Sequence, residues 1–203
     1  MSNLKSAIRT ASICMATLVA LAGCAWCRVR PPDVPAALQA PSGQTPFLEA
    51  RGSGVQIYQC TPSPDAPGKF GWVLLAPEAT LMNRHGHPIG RHFAGPSWEL
   101  RDGSGVVGEV VARDPGPDPA AIPWLLLRAK SVSGNGALSH TESIQRVRTM
   151  GGVAPGTACT EAQQRRRTHA AYGLAERRAR EAALLPRGTF GGSATRADAP
   201  ADR

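Results

Sequence analysis

The 203-residue sequence lacks a membrane-spanning run: its early apolar stretch, Ala11 to Ala22, is too short to cross a bilayer as a stable helix. No second C-x-x-C answers Cys24 and Cys27, which argues against a zinc site of that type and leaves no metal implied. None of Ser97, Ser104 and Ser143 lies in a G-x-S-x-G elbow, so a hydrolase serine is unsupported. Aromatic residues make up only 5% of the chain, and no basic groove interleaves them. The formal net charge of +8 is therefore a poor argument for nucleic acid, and its distribution weakens it further. Lys5 and Arg9 precede Cys24; between Cys24 and Cys159 there are 12 basic and 10 acidic residues, and beyond Cys159 nine arginines face five acids. The central body is nearly neutral.

What is present first suggests an address. Lys5 and Arg9 followed by the short apolar run form a signal peptide over residues 1–23. Its end, Leu21-Ala22-Gly23-Cys24, resembles the lipobox of bacterial lipoproteins. That resemblance implies lipidation of Cys24, with ordinary secretory cleavage as the alternative. Acyl chains anchor through about 0.8 kcal/mol per buried methylene. Ala25 stands where an Asp would signal inner-membrane retention, so the expected location is the outer membrane, with a tether over residues 24–33. Export brings oxidising conditions, in which cysteines are read first as disulfides. Cys14 leaves with the signal, Cys24 is taken by lipid and Cys27 lies in the tether. Cys60 and Cys159 remain, and pairing them would close a loop of about 100 residues, worth roughly 4 to 5 kcal/mol of chain entropy.

The segment from residue 34 to 159 alternates β-branched and aromatic stretches with Gly, Pro, Asn and Asp, which predicts a mainly β single domain, either a sandwich or a small barrel. Candidate strands are Pro46 to Glu49, Val55 to Cys60, Phe70 to Ala76, Ala79 to Met82, Ile89 to Phe93, Ser97 to Leu100, Val106 to Arg113, Trp124 to Ala129 and Leu138 to Thr149. Gly103 to Gly108, GSGVVG, spells the glycine pattern of a dinucleotide-binding turn. That turn needs a helix behind it, whereas Glu109 to Ala112 is strand-like and Pro115 follows. Asp102-Gly103 therefore predicts a hairpin, and no cofactor is implied. Arg113 to Trp124, with four prolines, predicts a surface loop between two strands.

The segments GVQIYQC, WVLLAPEATLMN, PIGRHFAGPSWEL, DGSGVVGEVVARDPGPDPAAIPWLLLRA and GALSHTESIQRVRTMGGVAPGTAC together resemble the bacterial and fungal domain-of-unknown-function family 3455, from about Val34 to Cys159. The resemblance implies a secreted or envelope-bound, mainly β domain without an established activity, and cysteines at the positions of Cys60 and Cys159. The dehydrogenase-like names of some relatives find no support in these residues. After Cys159 the sequence departs from the tyrosine-rich closing strand that the resemblance implies. Residues 160–203 are rich in Ala and Arg and predict a helix from Glu161 to Leu185 and then a disordered tail. This composition is what a shifted reading frame in GC-rich DNA yields; a missing closing strand would leave its neighbour's amides unpaired.

Candidate chemistry concentrates in GRHFAGPSWE. His92 is a proton carrier near neutral pH, Glu99 a possible orienting carboxylate and Trp98 a flat apolar wall. The bland alternative is core packing and a structural His–Glu pair. His85, His87 and His92 raise the question of a metal, but MNRHGHPIG reads as a turn with solvated imidazoles. Arg91, Arg146 and Arg148 are expected to pair with buried carboxylates such as Glu78 or Glu99, or else to receive an anionic ligand. With the catalytic set incomplete, the expected function is a non-catalytic module of the envelope. Its partners are the membrane, through the anchor, and a small ligand or an envelope protein; Trp98, Arg91 and Arg146 are the ligand-binding candidates. The alternative is a small enzyme using His92 and Glu99.

Overall fold

A computed structural model describes residues 29–179. The signal peptide, the lipobox with Cys24, Cys27 and residues 180–203 lie outside the described residues. Eight strands follow in chain order: β1 (Gln44–Pro62), β2 (Phe70–Met82), β3 (Pro88–Phe93), β4 (Ser97–Leu100), β5 (Gly105–Asp114), β6 (Trp124–Ser133), β7 (Ser143–Gly151) and β8 (Arg165–Ala179). Each pairs antiparallel with the next and β8 returns to β1, so the architecture is a closed up-and-down barrel, not a sandwich.

Two strands are longer than the sequence pattern predicts. Pro46 to Glu49 and Val55 to Cys60 are one strand, because Gly52 and Gly54 act as inward positions and not as a turn. A Cβ on Gly52 would lie 2.2 Å from the Tyr172 ring, so only glycine admits that ring against β1. Phe70 to Ala76 and Ala79 to Met82 are likewise one strand across Pro77. Pairing of β2 with β3 stops at Ala79–His92, so a proline at 77 removes no bond to β3. In the other direction, Leu138 to Thr149 is divided: Ala137–His140 form a 3-10 turn and the strand begins at Ser143. The Asp102-Gly103 hairpin forms as expected, with Gly103 at φ 81°. Asp102 also receives the Ala137 amide at 2.8 Å, which ties that 3-10 turn to the hairpin.

β8 overturns the helix expected over Glu161 to Leu185. Its arginines and alanines favour a helix locally, but Ala170, Tyr172, Leu174 and Glu176 alternate toward the interior and are all buried. Strand pairing extends along β1 from Gln44–Ala179 to Gln59–Arg165, and along β7 from Ser143–Arg177 to Gly151–Ala170. Hydrogen bonding on both edges together with a buried alternate face outweighs propensity. The closing strand is therefore present, and the inference of a missing strand and an exposed edge fails through residue 179.

The interior has two ends. Leu81, Leu100, Leu127, Ile144 and Leu174 fill one, with Leu138 of the 3-10 turn buried among them and Glu176 beside Ile144, and they are continuous with Trp98 and Tyr172 in a single apolar cluster. The other is covered by residues 121–123 and 151–153: Ala121 bridges Gly152, and the Thr149 hydroxyl donates to the Ile122 carbonyl at 2.6 Å. Cys60 and Cys159 form the expected disulfide, with Cα atoms 5.9 Å apart, and hold the β7–β8 connection against β1. Trp72 supports it by donating to the Thr157 carbonyl at 2.8 Å.

Candidate functional site

The short β3–β4 hairpin decides where the predicted chemistry points. His92 opposes Trp98 and Arg91 opposes Glu99. Residues directly opposite share a face and neighbours along a strand do not. His92 and Trp98 are therefore directed inward, each 1% exposed, while Arg91 and Glu99 meet outside in an ion pair at 3.0 Å. The structure does not bring His92 and Glu99 together as an acid–base pair.

His92 instead enters an aromatic cluster. Its ring stacks on Trp98 with centroids 4.5 Å apart, and meets Tyr172 edge-on at 5.8 Å. His92 Nδ1 lies 2.9 Å from the Ser97 carbonyl, an acceptor, which assigns the proton to Nδ1 and leaves Nε2 with its lone pair. Burial pulls the imidazole down to about 4, against the opposing influence of the Ser97 bond, so it is neutral at physiological pH.

Arg146 belongs to the same interior. It opposes Leu125 on β6 and Leu174 on β7's other side, both inward residues. Its Nη2 donates to the Pro123 carbonyl at 2.8 Å. The expected carboxylate partner is not there: among the described residues Glu78 pairs with Arg167, Glu99 with Arg91, Glu49 with Arg148 and Glu109 with Arg128, all on the exposed surface. The Arg91 and Arg148 pairs form as expected in kind, but with exposed and not buried acids. Burial lowers Arg146 to about 10, which keeps it cationic at neutral pH.

Tyr58, Gln56 and Tyr172 complete this polar end. None was singled out from the sequence, although the period-two burial of β1 and β8 carries the signal for them. The Tyr58 hydroxyl donates to the Gly152 carbonyl at 2.8 Å. Tyr172 is held above the ordinary phenol range by burial, despite the nearby Arg146 charge and Trp98 indole, so its hydroxyl keeps its proton. Four polar atoms here are buried without a hydrogen-bond partner: His92 Nε2, Trp98 Nε1, Tyr172 Oη and Arg146 Nε. The indole N–H is close enough to bias the phenol, but is not aligned as a hydrogen bond to it.

Just below the last β2–β3 pair the strands part, and a groove of about 720 Å³ opens there. Its lining includes His92 and Ala79 beside Pro77, Phe93, Ala94 and Arg167. His85 and His87 are elsewhere, in the exposed β2–β3 turn with ring centroids 6.3 Å apart, and neither approaches His92's interior position.

Residues 41–173 match the model of a family described as Protein of unknown function (DUF3455). The match runs past Cys159 to Gly173 inside β8, so the segment read as departing from the resemblance is partly within it. Neither a curated protein nor a solved structure matches the chain.

Proposed function

The chain belongs to the DUF3455 family, and we propose that it is a non-catalytic binding protein of the bacterial envelope that takes a small ligand at the polar end of its barrel. The proposal includes lipidation at Cys24, a tether over residues 24–33 and an outer-membrane location. One observation carries the reading of the interior: His92, Trp98 and Tyr172 are 1%, 1% and 3% exposed, their rings are in contact through His92, and each keeps a polar atom without a partner. Such groups cost roughly 1 to 3 kcal/mol each when left unpaired. Natural cores seldom carry several together, so their clustering supports a role outside folding. Eight-stranded barrels have an interior that side chains just fill or that holds one small ligand. The groove at the β2–β3 seam, which reaches His92, supports an entry route.

An enzymatic reading finds less support. Glu99 is on the outer face beside Arg91, and His92 has its Nδ1 committed to a backbone carbonyl. The binding reading is tested with the mature chain against a panel of charged and neutral small molecules, followed by proton–nitrogen NMR with the Trp98 indole resonance assigned through Trp98→Phe. Saturable shifts of that resonance are expected for at least one compound. A panel that leaves it unmoved, while ligands or proteins bind elsewhere, would sink the interior site. Cys24→Ser is expected to release the protein from the membrane fraction.

A further inference from the structure

We propose that the interior site takes a small organic anion, with its carboxylate held by Arg146, the Tyr172 hydroxyl and the Trp98 indole N–H. This rests on reading the barrel interior as a ligand site and adds the chemical class. The first argument is the balance of donors and acceptors. Arg146 Nε, Trp98 Nε1 and Tyr172 Oη each offer a hydrogen without an acceptor, whereas His92 Nε2 is the lone buried acceptor among the four. A donor-rich cluster is completed by an oxygen-rich group.

The second argument is charge. The groups whose charges reach Arg146 are Tyr172, Arg113, Tyr58 and His92, and none of them is an anion at neutral pH. The four surface glutamates are engaged by other arginines. Glu176 is on the same inward face of β8, across from Ile144 and one inward position beyond Leu174, and its charge reaches Tyr172; burial raises it to about 8, so it is mainly protonated at neutral pH and does not serve as the counter-charge. Arg146 as a residue is only half-buried, but its Nε is shut off from water, and a cation with no counter-charge is costly there. A neutral carbonyl could accept from the donors, but only an anion also balances the charge. The His92–Trp98 stack and the edge-on Tyr172 ring supply flat walls, which makes planar carboxylates the first probes.

Benzoate, hexanoate and the neutral isostere benzamide are titrated into the mature protein, with the Trp98 indole resonance as the readout. Benzoate is expected to bind at least tenfold more tightly than benzamide. Arg146→Met should remove that preference, and Arg128→Ala, on the outer face and away from the groove, should leave it intact. Far-UV circular dichroism reports whether Arg146→Met folds; the benzoate-to-benzamide ratio in the unsubstituted protein decides the question even if it does not. Equal affinity for benzoate and benzamide, or benzoate binding that survives Arg146→Met, would overturn the anionic class while leaving an interior site standing. If none of the three probes moves the resonance but other neutral compounds do, the anionic class falls and the binding reading survives; if nothing does, both fall.

Discussion

The two ends of one barrel interior bury polar groups of different kinds within one continuous apolar cluster. At the apolar end Leu81, Leu127, Leu138, Ile144 and Leu174 are at most 1% exposed and interlock across β2, β6, β7 and β8. At the polar end, similarly deep residues leave hydrogen-bonding atoms unmatched and an arginine without an acid. The apolar end is closed by a 3-10 turn whose amides are capped by Asp102 and Ser104. The polar end is closed by a connection pinned by a disulfide. Both ends leave buried polar atoms unmatched, Glu176 and Thr141 among the leucines and His92, Trp98, Tyr172 and Arg146 at the other; the difference is that only the second gathers hydrogen-bond donors around a cation, and it is this difference that supports the proposed site.

The largest effect expected from breaking this arrangement is at the staple. Replacing Cys60 and Cys159 together by serine should lower the unfolding free energy by roughly 4 to 5 kcal/mol, the chain-entropy value for a loop of this length; the two residues are 99 apart in sequence. Denaturant unfolding measures it, and a loss below about 1 kcal/mol would show that the strand register already holds the connection. Leu127→Ala comes next. It empties a fully buried position at the apolar end and should cost about 3 kcal/mol in the same assay.

Titration sharpens the contrast, because each end holds one displaced group. Glu176, raised to about 8 from 4.5 by burial, stabilises the fold below its unfolded value, and this contribution is lost as pH rises toward 8. His92, lowered to about 4 from 6.5, does the opposite: its contribution is present above 6.5 and is lost as pH falls through 4. The two slopes oppose one another between 4.5 and 6.5, and Glu176 acts alone above that range. Stability should therefore fall by about 2 kcal/mol between pH 6.5 and 8. Glu176→Gln should flatten that interval in thermal melts at graded pH; a variant that keeps the slope would show that Glu176 is not its source.

Features governed by local backbone chemistry were legible in the sequence. The Asp102-Gly103 hairpin and the Asn83-to-His87 turn follow from residues that favour tight turns, and the Cys60–Cys159 bridge matches the pair left when the thiols expected in the signal, anchor and tether are set aside. Features set by tertiary partners were not. Gly52, Gly54 and Pro77 look like breaks until Tyr172 is seen against β1 and β3 is seen to end at Phe93. β8 looks helical because its composition is visible and its two pairing edges are not. The candidate site was half legible. His92, Trp98 and Arg146 were identified, but the His92–Glu99 pairing failed by one step of register, which is enough to exchange the inside of a strand for the outside.

The smallest expected effect separates the two ends most cleanly. Tyr172 is 3% exposed, and its ring is packed between Gly52 and His92. Tyr172→Phe keeps that packing and removes only the hydroxyl, which has no hydrogen-bond partner. An ordinary buried tyrosine loses about 1 kcal/mol on such a change because a bond is broken. Here no bond is broken and a desolvated polar atom is eliminated, so stability should stay level or rise by up to about 1 kcal/mol. Equilibrium unfolding at neutral pH, with tyrosine and phenylalanine forms compared side by side, measures it. A clear loss would mean that the hydroxyl is satisfied in solution and that the polar end is ordinary core.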